Sequence, residues 1–314
     1  MKMRRVILDV DVGTDDYMAL LHLLHAENRG EIKIEGIVCT SGNTDLDHVV
    51  VNTVRLLELI GRTDIPVFKG AKRELILLDN IERYHGEDGL GDLYYDSDPD
   101  LSIVSKTPAA IAIHDIVDAH PNAVSLICVG PLTNLALSLK LYDDLAAKIK
   151  DVWIMGGNYT GVGNVSRAAE FNFHVDPEAA YIVLENLKCP IYVLPWETCL
   201  LPKIPLEWRF EALGNATPEL TVLTKAEEII YKKHNREHWT PCDTFLTFAF
   251  TNPEEHIVKS SIHHASVELH GDLTRGQVVL DHLKMNQPNV VIIEDIDSQL
   301  FVKEMLKCTK SLIC

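Results

Sequence analysis

Between Val6 and Leu194 the sequence alternates short, almost unbroken apolar runs with longer stretches whose apolar residues recur at helical spacing. The runs are Val6 to Val10, Ile34 to Cys39, Ile65 to Phe68, Val124 to Val129, Val152 to Met155 and Pro190 to Leu194. A strand with one wet face alternates apolar and polar residues; a run without alternation needs cover on both faces. Strands of that kind, separated by helical stretches, build parallel βαβ units. The first helical stretch carries Met18, Leu20, Leu21 and Leu24 and stops at Asn28-Arg29-Gly30; the second runs from Leu46 to Ile60 before Gly61. A third, long helix is expected from GPLTN at 130–134 to about Lys150. Thr107-Pro108, Asp176-Pro177 and Thr240-Pro241 each put a capping residue before proline, which predicts three more helix starts. Beyond residue 200 the texture becomes helical, most densely from Ala212 to Tyr231, with late strands at Ala265 to Leu269, Gln277 to Leu280 and Val290 to Ile293. The expected fold is α/β: an open, mostly parallel Rossmann-like sheet flanked by helices, with a C-terminal helical and mixed-strand elaboration. No linker and no repeat divides the chain, so residues 1–314 read as a single domain.

Composition narrows the partners. Apolar residues make up 46 % of the chain, which excludes a disordered polymer. The net charge is −17, and the densest basic stretches, Lys2 to Arg5 and Lys232 to Arg236, are too short to track a phosphate backbone. A small-molecule substrate is expected, with no nucleic acid and no membrane. Nothing approaches the roughly eighteen apolar residues of a membrane span. The apolar start from Val6 to Leu8 stops at Asp9, too soon for a secretory segment. The seven cysteines are widely spaced and form no CxxC, the pattern of reduced thiols in a cytoplasmic protein.

The chemistry concentrates at the end of the first strand. DVDVGTDD places Asp9, Asp11, Asp15 and Asp16 within eight residues. Asp9 and Asp11 share a strand face, Gly13 permits a tight turn, and Asp15 and Asp16 open the following helix. Open α/β sheets bind ligands at such strand ends. Carboxylates this close repel one another unless a hard cation with oxygen ligands neutralises them. Amides and a hydroxyl recur at the other strand ends: Asn43, Thr133, Asn134, Asn158 and Asn164, then Ala169-Glu170-Phe171-Asn172. Such groups around a carboxylate–metal centre suit a polyhydroxylated substrate such as a sugar.

These blocks resemble the calcium-dependent nucleoside hydrolases of the inosine-uridine-preferring type. DVDVGTDD is similar to that family's opening signature. TSGN at 40–43, HGEDGLGD at 85–92, GPLTNLA at 130–136, IMGG at 154–157, AEFNFHVDPEAA at 169–180 and GDLTRGQVVLD at 271–281 resemble its later blocks, in the same order. The resemblance implies cleavage of the N-glycosidic bond of purine or pyrimidine ribonucleosides to free base and ribose. It implies a Ca2+ ion held by the carboxylates of Asp11, Asp16 and Asp243 and by the carbonyl of Thr133. Asp11 would take the proton of a calcium-bound water. Asp15, Asn43, Asn172 and Asp243 would hold the 2′- and 3′-hydroxyls, Asn164 and Glu170 the 5′-hydroxyl, and Met155 would lie near the ribose ring. A homodimer or homotetramer is the expected assembly.

The departure is Cys242. Well-known members of the family carry histidine immediately before the distal calcium aspartate; other branches carry tyrosine or cysteine. A thiol with an ordinary pKa of about 8.5 donates a proton near neutrality, so Cys242 is one candidate to protonate the leaving base. His238, five residues before Asp243, is another. Trp239 is placed to stack on the base, and His85 to contact it. Base contacts are expected from residues 75–90 and 225–243. Two rival readings remain. In a haloacid-dehalogenase-like phosphatase, Asp9 would be the nucleophile and Asp11 the acid. In a ribonucleoside-binding protein, Cys242 would mark weak or lost turnover.

Overall fold

The computed structural model describes residues 3–76 and 83–312. Val6, Leu8 and Val10 bury into one layer and Ile7 into the other, so β1 (Arg4–Val10) has no solvent face. The unbroken apolar runs have the same consequence along the chain: β2 (Ile32–Cys39), β3 (Val67–Lys69), β4 (Val104–Ser105), β5 (Val124–Cys128), β6 (Asp151–Met155) and β7 (Ile191–Leu194) pair in parallel with their neighbours. One layer of cover comes from helices Thr14–Asn28, Leu46–Leu59, Pro218–Lys233, Cys242–Thr251 and Ser298–Met305, the other from Ala109–Ala119, Thr133–Leu141 and Pro177–Asn186.

Two short strands, β8 (Ile204–Pro205) and β9 (His238–Trp239), pair only with each other. The parallel pattern ends in the late strands. β10 (Ile257–His263) runs antiparallel to β13 (Val290–Ile296), and β13 lies parallel to β7. β11 (Ala265–Val267) and β12 (Val278–Leu280) form a separate ribbon. The nine-stranded order is β10-β13-β7-β6-β5-β1-β2-β3-β4. The chain therefore winds outward from β1 to β4 on one side, then returns to β5 and winds outward on the other. The carboxyl ends of β1 and β5 flank the switch point, where such sheets open a crevice.

Local departures from the sequence reading have local causes. The expected long helix breaks after Leu141: Tyr142 is extended at φ −133°, its ring stacks on His114 at 3.7 Å, and a short helix resumes at Leu145–Lys148. Asp176 does cap the next helix, accepting from the Ala179 N–H at 3.0 Å. At 107–108 and 240–241 the proline itself takes the cap position, with no side-chain cap. β10 carried no apolar run because it is the sheet edge, where Lys259 and the serines face water. Among the described residues no helix is long and apolar enough to cross a membrane.

Candidate active site

The turn after β1 builds the floor of a cavity. Asp16, at the third position of helix Thr14–Asn28, reaches back to accept from the backbone N–H groups of Asp11 (3.0 Å) and Gly13 (2.9 Å). That closes the turn and fixes the Asp16 carboxylate, which also accepts from Asn43 Nδ2 at 3.2 Å. Asp11 Oδ2 accepts from the Asn43 N–H at 2.7 Å. The glycines of TSGN and GPLTN exist for Asp11: a Cβ on Gly42 would stand 2.1 Å from Oδ2, and one on Gly130 2.8 Å from Oδ1. Gly13 has φ −91°, so its role is not a left-handed turn; a Cβ there would meet the His85 ring at 2.8 Å.

Helix Cys242–Thr251 delivers Asp243 to the same place. Carboxylate oxygens of Asp15, Asp16 and Asp243 lie within 4.8 Å of one another. Burial, then the like charges of its neighbours, pushes Asp11 and Asp243 well above the usual carboxylate range, and Asp16 to about 7. Asp11 Oδ1 is buried and receives no hydrogen bond. An all-oxygen set, crowded, buried and short of donors, fits a hard divalent cation, whose charge would lower those pKa values together. Asp9 stands apart from this group. It is 1 % exposed, its Oδ1 accepts from Asn134 Nδ2 at 2.9 Å, and burial pushes it to about 8. Asp9, Asp11 and Asp16 all lie behind the cavity lining, to which Asp15 and Asp243 belong; what sets Asp9 apart is its bond to Asn134.

The cavity wall above the floor includes Asn43, Met155, Asn164, Glu170 and Asn172. Glu170 caps helix Phe171–Val175, accepting from the N–H groups of Asn172 (3.0 Å) and Phe173 (3.3 Å), and also from that of Gly157 at 2.8 Å. Burial nevertheless raises it to about 7. Asn172 Nδ2 donates to the carbonyls of Val129 (2.8 Å) and Met155 (3.1 Å), tying the ends of β5 and β6 together. Thr133 is buried outside the lining, its hydroxyl donating to Asp176 Oδ2 at 2.7 Å.

The mouth departs most from the sequence reading. His85 is there, its Nδ1 3.0 Å from Thr14 Oγ1 and its Nε2 3.5 Å from Asp15 Oδ1; burial, opposed by Asp15, lowers its pKa. Cys242 also lines the cavity, but its thiol points to the Thr240 carbonyl at 3.6 Å. The adjoining Cys199 thiol and burial hold the Cys242 pKa well above the ordinary thiol range. Trp239 cannot stack on a base. It is fully buried, its Nε1 donates to Glu227 Oε1 at 2.8 Å, and the Arg209 guanidinium lies 5.5 Å from its ring. His238 is drawn aside as well, since β9 pairs it with Pro205 and it does not line the cavity. The lining residues of this segment are instead Tyr231, Arg236 and Thr240, with Tyr84 and Trp196 opposite in sequence. No periodicity announces them, because Tyr84 and Arg236 meet across 152 positions of chain. Residues 77–82 of the expected 75–90 segment lie outside the described residues.

Fold and cavity together define an α/β enzyme that offers carboxylates and amides to a polyhydroxylated ligand at a sheet switch point. The chain belongs to the inosine-uridine preferring nucleoside hydrolase family, matching it over residues 6–303. It is thus a hydrolase of N-glycosyl bonds. It is 34 % identical to the pyrimidine-specific ribonucleoside hydrolase RihA of Citrobacter koseri over 310 residues, 95 % of each chain. The corresponding protein of Escherichia coli K12 is 33 % identical over the same length and coverage. Among solved structures, an inosine-guanosine nucleoside hydrolase superposes with a TM-score of 0.89 at 27 % identity, covering 98 % of both chains. The phosphatase alternative fails at its nucleophile, since Asp9 is buried and bonded away from the cavity.

Proposed function

We propose that the chain hydrolyses ribonucleosides to free base and ribose, pyrimidine ribosides foremost, with Ca2+ held by Asp11, Asp16, Asp243 and the Thr133 carbonyl. The observation that carries this reading is the Asp15–Asp16–Asp243 cluster: Asp15 and Asp243 line a cavity together with Asn43, Asn164, Glu170 and Asn172, and Asp16 and Asp11 lie behind them. When bound, the cation would supply charge to neutralise the carboxylates and acidify a water. The chain's own residues do the rest. Asp11 Oδ1, without a donor of its own, accepts a proton from the attacking water. Asp15, Asn43, Asn172 and Asp243 hold the 2′- and 3′-hydroxyls, and Asn164 and Glu170 the 5′-hydroxyl, with Met155 against the ring. The carboxylates also stabilise positive charge on the ribosyl group as the bond breaks.

The pyrimidine preference rests on the two relatives named for it, at 33–34 % identity. A cytoplasmic setting and a homodimer or homotetramer belong to the same reading; the free, buried thiols of Cys39, Cys128, Cys199 and Cys308 support the first. The test is a panel of uridine, cytidine, inosine and thymidine assayed for free sugar, with chelator and with calcium restored. Ribose from uridine that disappears on chelation and returns with calcium is the expected result. No sugar from any riboside overturns the function, and hydrolysis that survives complete metal removal overturns the metal's place in it.

A further inference from the structure

The cavity is charged in opposite senses at its two ends. Asp243 at the floor is 2 % exposed, whereas Arg236 at the mouth is exposed, and it is the only lysine or arginine among the lining residues. Arg236 is held in place. Its Nε donates to Tyr84 Oη at 3.0 Å, and its guanidinium lies 5.4 Å from the Tyr84 ring. Tyr84 in turn stacks on His234 at 4.1 Å, whose Nε2 is 3.1 Å from the Tyr84 carbonyl. Tyr84 also meets His85 edge-on at 4.9 Å, and His85 reaches Asp15. A continuous chain of contacts thus joins the carboxylate floor to a fixed cation at the mouth.

Heterolysis of an N-glycosidic bond separates charge in that same sense. The C1′–N bond breaks and its electron pair stays on the base, leaving the ribosyl carbon positive. Water adds to C1′ and gives its proton to Asp11, and the base anion is later protonated from solvent. The Cys242 thiol, though in the lining, is engaged by the Thr240 carbonyl at 3.6 Å. We propose that Arg236 is a catalytic residue that stabilises the negative charge arriving on the base, so that the leaving group departs by charge stabilisation. Tyr84 is its positioning residue. This rests on the ribonucleoside-hydrolase reading. A guanidinium stays protonated throughout, so its contribution scales with how poorly the base bears negative charge.

The experiment is a leaving-group series, uridine, 5-fluorouridine and p-nitrophenyl β-riboside, on wild type, Arg236→Gln and Arg236→Lys. Arg236→Gln should lose about 100-fold in kcat on uridine, about tenfold on 5-fluorouridine and less on the p-nitrophenyl riboside, with KM within about twofold. Arg236→Lys keeps the charge and should recover part of the uridine loss. Equal losses on all three substrates, or a loss confined to KM, would overturn the proposal. So would a wild type active on uridine beside an equally active Arg236→Gln. A wild type that releases ribose from none of them sinks the underlying function instead, so the two failures are distinguishable.

Discussion

The floor and the mouth of the cavity are held by different kinds of contact. At the floor and in the wall just above it, backbone N–H groups of Asp11, Gly13, Asn43, Gly157, Asn172 and Phe173 donate to the carboxylates of Asp16, Asp11 and Glu170. At the mouth, ring and side-chain contacts carry more of the work: Tyr84 stacks on His234, Arg236 bonds Tyr84, and His85 meets the Thr14 hydroxyl, with backbone help only at the Tyr84 carbonyl and the Thr14 N–H. A backbone donor survives substitution of its own residue, whereas a ring stack or a guanidinium contact is lost with one side chain. On the proposed function, the floor would keep the attack on the ribosyl carbon while the mouth would be the part that changes with the base. Relatives named for pyrimidine and for inosine-guanosine fit that division.

The comparison breaks most directly at Asp11. Asp11→Asn should cost about 10,000-fold in kcat on every nucleoside, because a general base is lost whatever the leaving group. A loss under tenfold in a ribose-release assay would move the chemistry off the floor. Gly42→Ala should follow, at about 100-fold. Its Cβ would fall 2.1 Å from Asp11 Oδ2, in a turn whose backbone cannot yield without releasing Asn43. Wild-type kcat in that variant would mean Asp11 is not held where the turn places it.

The buried carboxylates of the wall and of β1 and the buried imidazole of the mouth predict opposite pH dependences: Glu170 and Asp9 are raised, His85 is lowered. Burial raises Glu170 from 4.5 to about 7 and Asp9 from 3.8 to about 8. A carboxyl raised in the folded state binds its proton more tightly there than in the unfolded chain. Stability of the metal-free protein should thus be greatest below the unfolded value and fall as pH rises through the folded one. Tm measured in chelator should drop between about pH 4.5 and 8, less steeply in Glu170→Gln. Because lowered histidines such as His22 and His25 slope the other way, the decisive reading is the difference: a Glu170→Gln profile parallel to wild type would contradict the burial shift of Glu170.

Legibility in the sequence followed the same division. The floor was readable because its residues are close in chain and its cause is local: Asp11, Asp15 and Asp16 fall in one turn, and Gly42 and Asn43 sit two short steps beyond β2. The sheet is legible from the unbroken apolar runs, except at its two edges, β10 and the two-residue β4, where an edge strand needs no such run. The mouth is legible only as segments: residues 75–90 and 225–243 do supply Tyr84, His85, Tyr231, Arg236, Thr240 and Cys242 to the lining, but which side chains of those segments face the cavity is not. Trp239 was placed on the base from its nearness to Asp243, but nearness in chain says nothing about side: β9 turns the indole onto Glu227 and Arg209. Arg236 carried no signal, since what fixes it is a tyrosine brought from residue 84 by tertiary packing.

Trp239 and Cys242 sharpen the comparison with smaller effects. Trp239→Phe removes the donor to a buried glutamate and should lower stability by about 2 kcal/mol in urea unfolding, while kcat on uridine stays unchanged. A selective loss of base affinity would return Trp239 to the cavity.

Cys242→Ala should do least to turnover. A thiol held well above its ordinary pKa by its hydrogen bond with Cys199 and by burial gives up its proton reluctantly, and it also donates to the Thr240 carbonyl. Uridine and inosine turnover should change by less than about threefold, within the range of a lost packing contact. If the thiol does protonate the base, the loss should exceed about 30-fold and be larger for the base that needs more protonation. The ratio of the two losses therefore tells whether proton donation has passed from histidine to cysteine, or has been replaced by charge at the mouth.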